Sequence, residues 1–198
     1  AIVLLTLKDR LSIQEPNESL SLNPDLSFHS VDSVVTQVTG ERRNLRVEAE
    51  QHFAYSDGSS RLDGVRVIVE DESGDQIIIT SREGQVGQSE HQVEVTGGVI
   101  LEASDGFSVH TEQASYDHRS GSVSISGPLT FSRGQLAGSA VGALYDDQND
   151  LLRLSSKSHV TLGRLDFSSD VAVLADTSLS FSQDVLIQEG DWSTVTQA

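Results

Sequence analysis

The 198-residue chain contains no cysteine. That excludes a disulfide scaffold, a thiolate-bound zinc or iron–sulfur site and a thiol nucleophile, and is compatible with an oxidising compartment. Basic residues are scarce: 13 Lys and Arg stand against 30 Asp and Glu, a net charge of −17. A generic phosphate-backbone binder needs a basic face, so nucleic acid is excluded as a partner. Aromatic residues make up 5% and all hydrophobic residues 36%, so the core is expected to be thin and built of Val, Leu and Ile. Proline occurs only at Pro16, Pro24 and Pro128. No run approaches the ~18–20 consecutive apolar residues of a membrane-spanning helix. The length is that of one domain, at most two small ones.

What the chain does have is alternation. Val65, Val67 and Val69 alternate with Arg66 and Ile68; Val93 and Val95 flank Glu94; Val99 and Leu101 flank Ile100; Val123 and Ile125 flank Ser124; Leu129 and Phe131 flank Thr130. Period two sets each group on one face of a strand. Most intervening residues are Ser, Thr, Glu or Arg and face water, Ile68 and Ile100 excepted. Between Leu45 and Ile187 no helical period competes. Short strands separated by Gly, Asp and Ser turns predict an all-β sandwich, barrel or solenoid.

The chain also repeats itself. Val65, Val99, Leu129 and Val160 recur every 30 to 34 residues. Each unit reads as strand, Tyr-Asp turn, strand, kink, strand, Gly turn, strand. The turns are Tyr55-Ser56-Asp57, Tyr116-Asp117 and Tyr145-Asp146, and a weaker fifth copy runs through Ala175, Leu179 and Phe181 to Asp184-Val185. The Asp is expected to cap its turn through the side chain. A unit of ~30 residues cannot bury its own apolar face and must stack on its neighbours. The expectation is an elongated, layered β-structure with a continuous interior stripe over residues 26–198. Residues 1–25 read as an N-terminal stub and linker. Within them Ala1–Leu7 is nearly all apolar and would span about 10 Å as helix. It reads either as the first strand of the fold or as the remnant of a membrane anchor.

These residues resemble a known family. Ala49, Tyr55 and Gly64-Val65, then Gly97-Gly98-Val99 with Gly106 and Thr111, then Ala114-Ser115-Tyr116-Asp117, Gly121 and Ser126-Gly127-Pro128-Leu129 are similar to the periplasmic lipopolysaccharide-export β-jellyrolls LptC, LptA and the OstA-like domain of LptD. The likeness covers roughly residues 26–165 and is nearest to LptC. Asp25-Leu26-Ser27-Phe28, Val34–Gly40 and Arg46–Glu50 resemble the hairpin that LptC places before its repeats. The tail from Asp166 onward begins a further unit, more than a minimal LptC needs.

The resemblance implies an open β-jellyroll of two splayed antiparallel sheets, held in the periplasm by an N-terminal inner-membrane helix. It would take lipopolysaccharide from an inner-membrane ABC transporter and hand it to an LptA-like bridge protein, with no cofactor, metal or catalytic residue of its own. A lipid needs such a path, because a twelve-carbon chain withdrawn from water represents roughly 10 kcal/mol. Parity names the lining of the implied lipid groove: Val65, Val67, Val69, Ile77, Ile79, Val93, Val95, Val99, Leu101, Val109, Val123, Ile125, Leu129 and Phe131. Without the resemblance, the same side chains read as ordinary core. The family pairs edge strands head to tail. Here the edges would be Ser27–Val38 and Val171–Ile187, with Phe28, Val34, Val171, Val185 and Ile187 as contact positions; loops covering them are the alternative. A phosphorylated lipid is repelled by the chain's net charge, so acyl chains must drive capture, with Arg66, Arg82 and Arg133 as local relief.

Other chemistry is poorly supported. His29, His52, His91, His110, His118 and His159 are scattered and read as surface residues. Asp146–Asp150 lacks the glycine and distal glutamate of a calcium loop. There is no Gly-x-Ser-x-Gly elbow and no Gly-rich phosphate loop, so any energy for transport comes from a partner. The competing reading is a structural or adhesive β-solenoid with a dry interior and no lipid affinity. A sugar-binding jelly roll would need exposed aromatics, yet the chain has one Trp, and its three Tyr recur at a turn position.

Overall fold

The computed structural model describes residues 3–5, 25–39, 43–71, 74–87, 92–117, 119–146, 149–175, 178–189 and 192–195. The rest of the 1–24 segment, and with it most of the apolar stub, lies outside them, as do His91, His118, Asp147 and Gln148. The described residues are all strand and turn. In chain order the strands are β1 Val3–Leu5, β2 Leu26–Thr39, β3 Arg43–Tyr55, β4 Ser60–Asp71, β5 Gln76–Val86, β6 Gln92–Ala103, β7 Ser108–Asp117, β8 Ser122–Arg133, β9 Leu136–Asp146, β10 Leu151–Leu154, β11 Ser158–Leu162, β12 Leu165–Ser169, β13 Val171–Ala175, β14 Ser178–Ser182, β15 Leu186–Glu189 and β16 Trp192–Val195.

All pairings are antiparallel, and β1 to β9 follow one another as a meander. The ladder then forks. The start of β9 pairs with β11, and its end pairs with β10. From there β11, β12, β15 and β16 form one branch, and β10, β13 and β14 the other. Each long strand of the first half corresponds to two short ones in the second, broken at the same place. The expected unit has four strands with one kink; two continuous, kinked strands carry them instead, because only a few residues at each kink leave the ladder.

The kinks line up. Register shifts fall between Thr80 and Glu83, Thr96 and Val99, Thr111 and Ser115, and Ile125 and Pro128. Positive φ angles follow the same seam: Asp32 53°, Gly64 62°, Gly97 87°, Gly98 80°, Gly142 81°, Lys157 49° and Gln183 64°. Gly97-Gly98 shows why glycine stands here, since two successive left-handed residues would strain any side chain. The extra residues bend the strands and reset their parity. Leu62 and Val65, three positions apart, are both buried, which a straight strand does not allow.

Every long strand therefore contributes to two arms that face each other across one core. The first arm carries Leu45, Val65, Val67, Val69, Ile79, Val99, Leu101, Val109, Leu129, Phe131 and Val160 inward. The second carries Leu62, Val93, Val95, Ala114, Tyr116, Val123, Ile125, Ala143, Leu152 and Ala172. Each fully buried Val or Leu contributes about 1.5–3 kcal/mol. The repeat anchors Val65, Val99, Leu129 and Val160 all sit in this core, one per hairpin. The Asp caps form as expected. Asp57 Oδ1 accepts from the Ser59 amide at 2.8 Å, Asp117 Oδ1 from the Arg119 amide at 2.9 Å, and Asp146 Oδ1 from the Asn149 amide at 3.3 Å. Hydrogen bonds from Ser59 hold the Asp57 carboxyl below the ordinary carboxylate range.

Val3–Leu5 pairs with Val35–Gln37 of β2, so this part of the stub is a strand lying on the first arm. Residues after Asp166 continue both branches of the meander and extend the sandwich.

A candidate cleft at the C-terminal end of the sandwich

Two facing rows of side chains build the site. On the first arm, Arg133 pairs with Leu136, Leu136 with Leu162, and Leu162 with Leu165. On the second arm, Tyr145 pairs with Leu152, Leu152 with Leu174, and Leu174 with Leu179. Directly opposed residues of neighbouring strands share a face, so each row is a ladder with ~4.8 Å steps. Between the rows lies a cavity of about 290 Å³, lined by Leu136, Leu152, Leu162, Leu174 and Leu179 together with the group at the head of the rows. That volume is at the lower end of small-ligand pockets. Leu162 remains 42% exposed at its mouth.

Polar and aromatic groups close the head of the cleft. Arg133 Nη2 donates to both carboxylate oxygens of Asp150, each at 2.9 Å, and also pairs with Asp105. The Tyr145 hydroxyl donates to Asp150 Oδ1 at 3.1 Å. The guanidinium lies 5.3 Å above the Phe107 ring, and Phe107 packs on Tyr145 with centroids 5.5 Å apart. Asp105 also accepts from the Phe107 amide at 2.9 Å, capping its own turn. Burial works against the Arg133 charge, but Asp150 and Asp105 outweigh it and raise the pKa. Burial first, then the Asp150 charge, pushes the Tyr145 phenol well above its ordinary value, so the hydroxyl stays a donor. Arg133 Nε is buried with no hydrogen-bond partner.

The groove positions named from parity lie elsewhere along the same interior. Val65, Val67, Val69, Ile79, Val93, Val95, Val99, Leu101, Val109, Val123, Ile125, Leu129 and Phe131 are packed in the core, each at most 5% exposed, and Ile77 is partly buried against it. Along β4–β9 these side chains are packed in the core, and the leucine-lined cleft opens beyond them. Parity alone did not single out Leu136, Leu152, Leu162, Leu174 and Leu179. Their strands are short or preceded by Gly and Ser, so alternation there extends over too few residues. Arg133 is the one expected cation that reaches the cleft, and two carboxylates neutralise it. Arg66 is exposed, and Arg82 is spent on the seam, donating to the Gly97 carbonyl at 2.8 Å.

Among the edge positions, Phe28 lies on β2, is 49% exposed, and precedes the stretch that β1 covers; Val34 abuts that stretch. Val171 and Ile187 lie on β13 and β15, which have neighbours on both sides. Val185 falls between β14 and β15. Among the described residues the outermost C-terminal strands are therefore β14 and β16, because the meander runs on past Val171 on one branch and past Ile187 on the other. Of the histidines, His52 is partly buried beside Ser60 Oγ at 3.1 Å and edge-on to Phe28, and His29 stacks on Phe53. Among the described residues no three His, Asp or Glu converge as metal ligands.

No curated protein matches the chain. The model of the family described as lipopolysaccharide-assembly, LptC-related, matches residues 1–162, which take in both arms from β1 to β11. The chain thus belongs to the LptC-related lipopolysaccharide-assembly family, whose role is in lipopolysaccharide transport.

Proposed function

We propose that this protein is the periplasmic, inner-membrane-associated component that takes lipopolysaccharide from an ABC transporter and passes it, acyl chains inward, between its two arms to an LptA-like bridge protein. The observation that carries this reading is the cleft. It is apolar, it is bounded by one leucine row from each arm, and it continues into an interior of aliphatic side chains. Val65 to Phe131 would line the path when the arms part, and Leu162 with its neighbours would make first contact. No directional chemistry is required, because transfer of methylenes from water supplies about 0.8 kcal/mol each. The backbone edges that no described strand pairs, on β2 before Val35 and on β14 and β16, would supply the pairing with partner proteins.

A second reading, a structural rod without lipid affinity, draws support from the tight packing along β4–β9. One comparison separates the two. Leu162 at the cleft mouth and Leu144 on the outer face are nearly equally exposed, 42% and 45%. A photo-crosslinking residue at each site in cells should yield lipopolysaccharide adducts at Leu162 and none at Leu144. Absence of adducts at Leu162 in a folded, assembled protein rejects the carrier.

A further inference from the structure

The group at the head of the cleft joins two places that the chain holds far apart. Arg133 ends β8 at the turn into β9, on the free margin of the first arm. Asp150 lies in the turn from β9 to β10, on the free margin of the second. The 11 residues of β9 separate these margins and would span about 35 Å if straight. The bend at Gly142 brings them together. Phe107 and Tyr145 repeat the relation, one from each arm. These residues therefore stand across the opening of the sandwich. The interior on one side of them is packed, and on the other they line the open cleft of about 290 Å³.

We propose that Arg133–Asp150, seated on Phe107 and Tyr145, is a latch. Closed, it confines a guest to the leucine-lined cleft; parted, it lets acyl chains pass into the interior along β4–β9. This rests on the carrier reading above. The chemistry suits a contact that must break. A partly exposed ion pair contributes little net stability, since solvent competes for both charges. Arg133 Nη2 serves three acceptors while Nε has none, so the cation is imperfectly held. Hydrocarbon-lined space beside the pair gives an entering chain somewhere to wedge.

These 198 residues contain no cysteine, so a double variant, Arg133→Cys with Asp150→Cys, introduces the only two thiols among them. A short, reducible bis-thiosulfonate linker would then fix the latch shut. Photo-crosslinking to purified lipopolysaccharide is read from Leu162 in the cleft and from Phe131, an aromatic position on the packed side. The latch is supported if bridging removes Phe131 adducts at least about tenfold, reduction restores them, and Leu162 adducts persist throughout. Equal Phe131 yields with and without the bridge overturn the latch and leave the carrier standing. If no form gives adducts at Leu162, the carrier reading fails and the latch fails with it; amide exchange reports separately whether the pair holds the two margins together. In Asp150→Asn the turns at 133–136 and 149–151 should exchange about fivefold faster, the factor for a partly exposed pair contributing on the order of 1 kcal/mol. Unchanged exchange there rejects the latch.

Discussion

Asp150 and Arg133 flank opposite ends of β9, yet Nη2 of the arginine stands 2.9 Å from both carboxylate oxygens. A single strand has been folded back until its two ends nearly touch. The same bend, repeated from Asp32 to Gln183, turns one antiparallel sheet into two facing arms. With Arg133 24% and Asp150 36% exposed, the pair contributes on the order of 1 kcal/mol and weakens in salt. Shape comes from the kinks and the apolar core, and the ion pair trims the opening.

Tyr145→Phe keeps the ring against Phe107 and deletes only the hydroxyl bonded to Asp150. It should cost about 1 kcal/mol in denaturant unfolding. Tyr145→Ala also removes the buried ring and should cost about 3–5 kcal/mol. In an absorbance titration Tyr145→Phe should remove a tyrosinate component that titrates above the ordinary 10.0, because burial and Asp150 hold that phenol up. Retention of that component shows that the assignment is mistaken.

Gly138 is required by a close approach. A Cβ there would lie 2.4 Å from the His159 carbonyl oxygen and 2.6 Å from Cζ of Phe131. Gly138→Ala should therefore push β11 off β9 and cost about 1–3 kcal/mol. A Cβ at Gly127 would meet no atom within 4 Å. Gly127→Ala should be neutral or stabilise by about 0.4–1 kcal/mol. Equal melting temperatures for the two variants contradict this.

Ser158 and Ser169 are buried where β11 and β12 meet the seam, with hydroxyl oxygens 2.7 Å apart. Ser158 Oγ also lies 2.7 Å from the Ser169 carbonyl oxygen, and Ser169 Oγ donates to the Val171 carbonyl at 2.9 Å. Ser158→Ala should destabilise by about 1–2 kcal/mol. A double-mutant cycle with Ser169→Ala should give a coupling of about 0.5–1 kcal/mol, and strict additivity would show that the hydroxyls act separately.

Burial lowers the His52 pKa below the ordinary 6.5. Well above 6.5 the ring is neutral folded and unfolded, so it adds no pH dependence. As pH falls below 6.5 the unfolded chain takes the proton first, and stability declines until the folded ring protonates too. His52→Gln should flatten that part of the stability–pH curve, measured by urea unfolding from pH 7.5 to about 5. An unaltered slope counts against burial of the ring.

Alternation made most of the core legible. Val65, Val67, Val93, Val99, Val123 and Leu129 all sit inside, because period two leaves a strand only two faces and the polar partners choose the outer one. The Tyr-Asp turns were equally visible, since an Asp side chain capping its own turn is a local event. The cleft was not. Leu162 and Leu179 stand among Thr, Gly and Ser in five-residue strands, and nothing local says that their rows face each other. Nor does local sequence pair Arg133 with Asp150 rather than with Asp146 or Asp166, which are aspartates as well. The expected edge segment Val171–Ile187 contains β14, the last described strand of its branch, but Val171 and Ile187 themselves stand on paired strands, because a ladder's end depends on how many strands follow.

From its sequence alone this protein is an all-β repeat of ~30-residue hairpins with an aliphatic inner face and acidic, cysteine-free surroundings. Those properties depend on side-chain parity and turn chemistry within a few residues. Where the strands bend, how the ladder forks at β9, and which margins close on each other were decided by tertiary structure. Kinks in neighbouring strands must coincide for the sheet to fold over, and that coincidence is a property of the assembled ladder that no single segment carries.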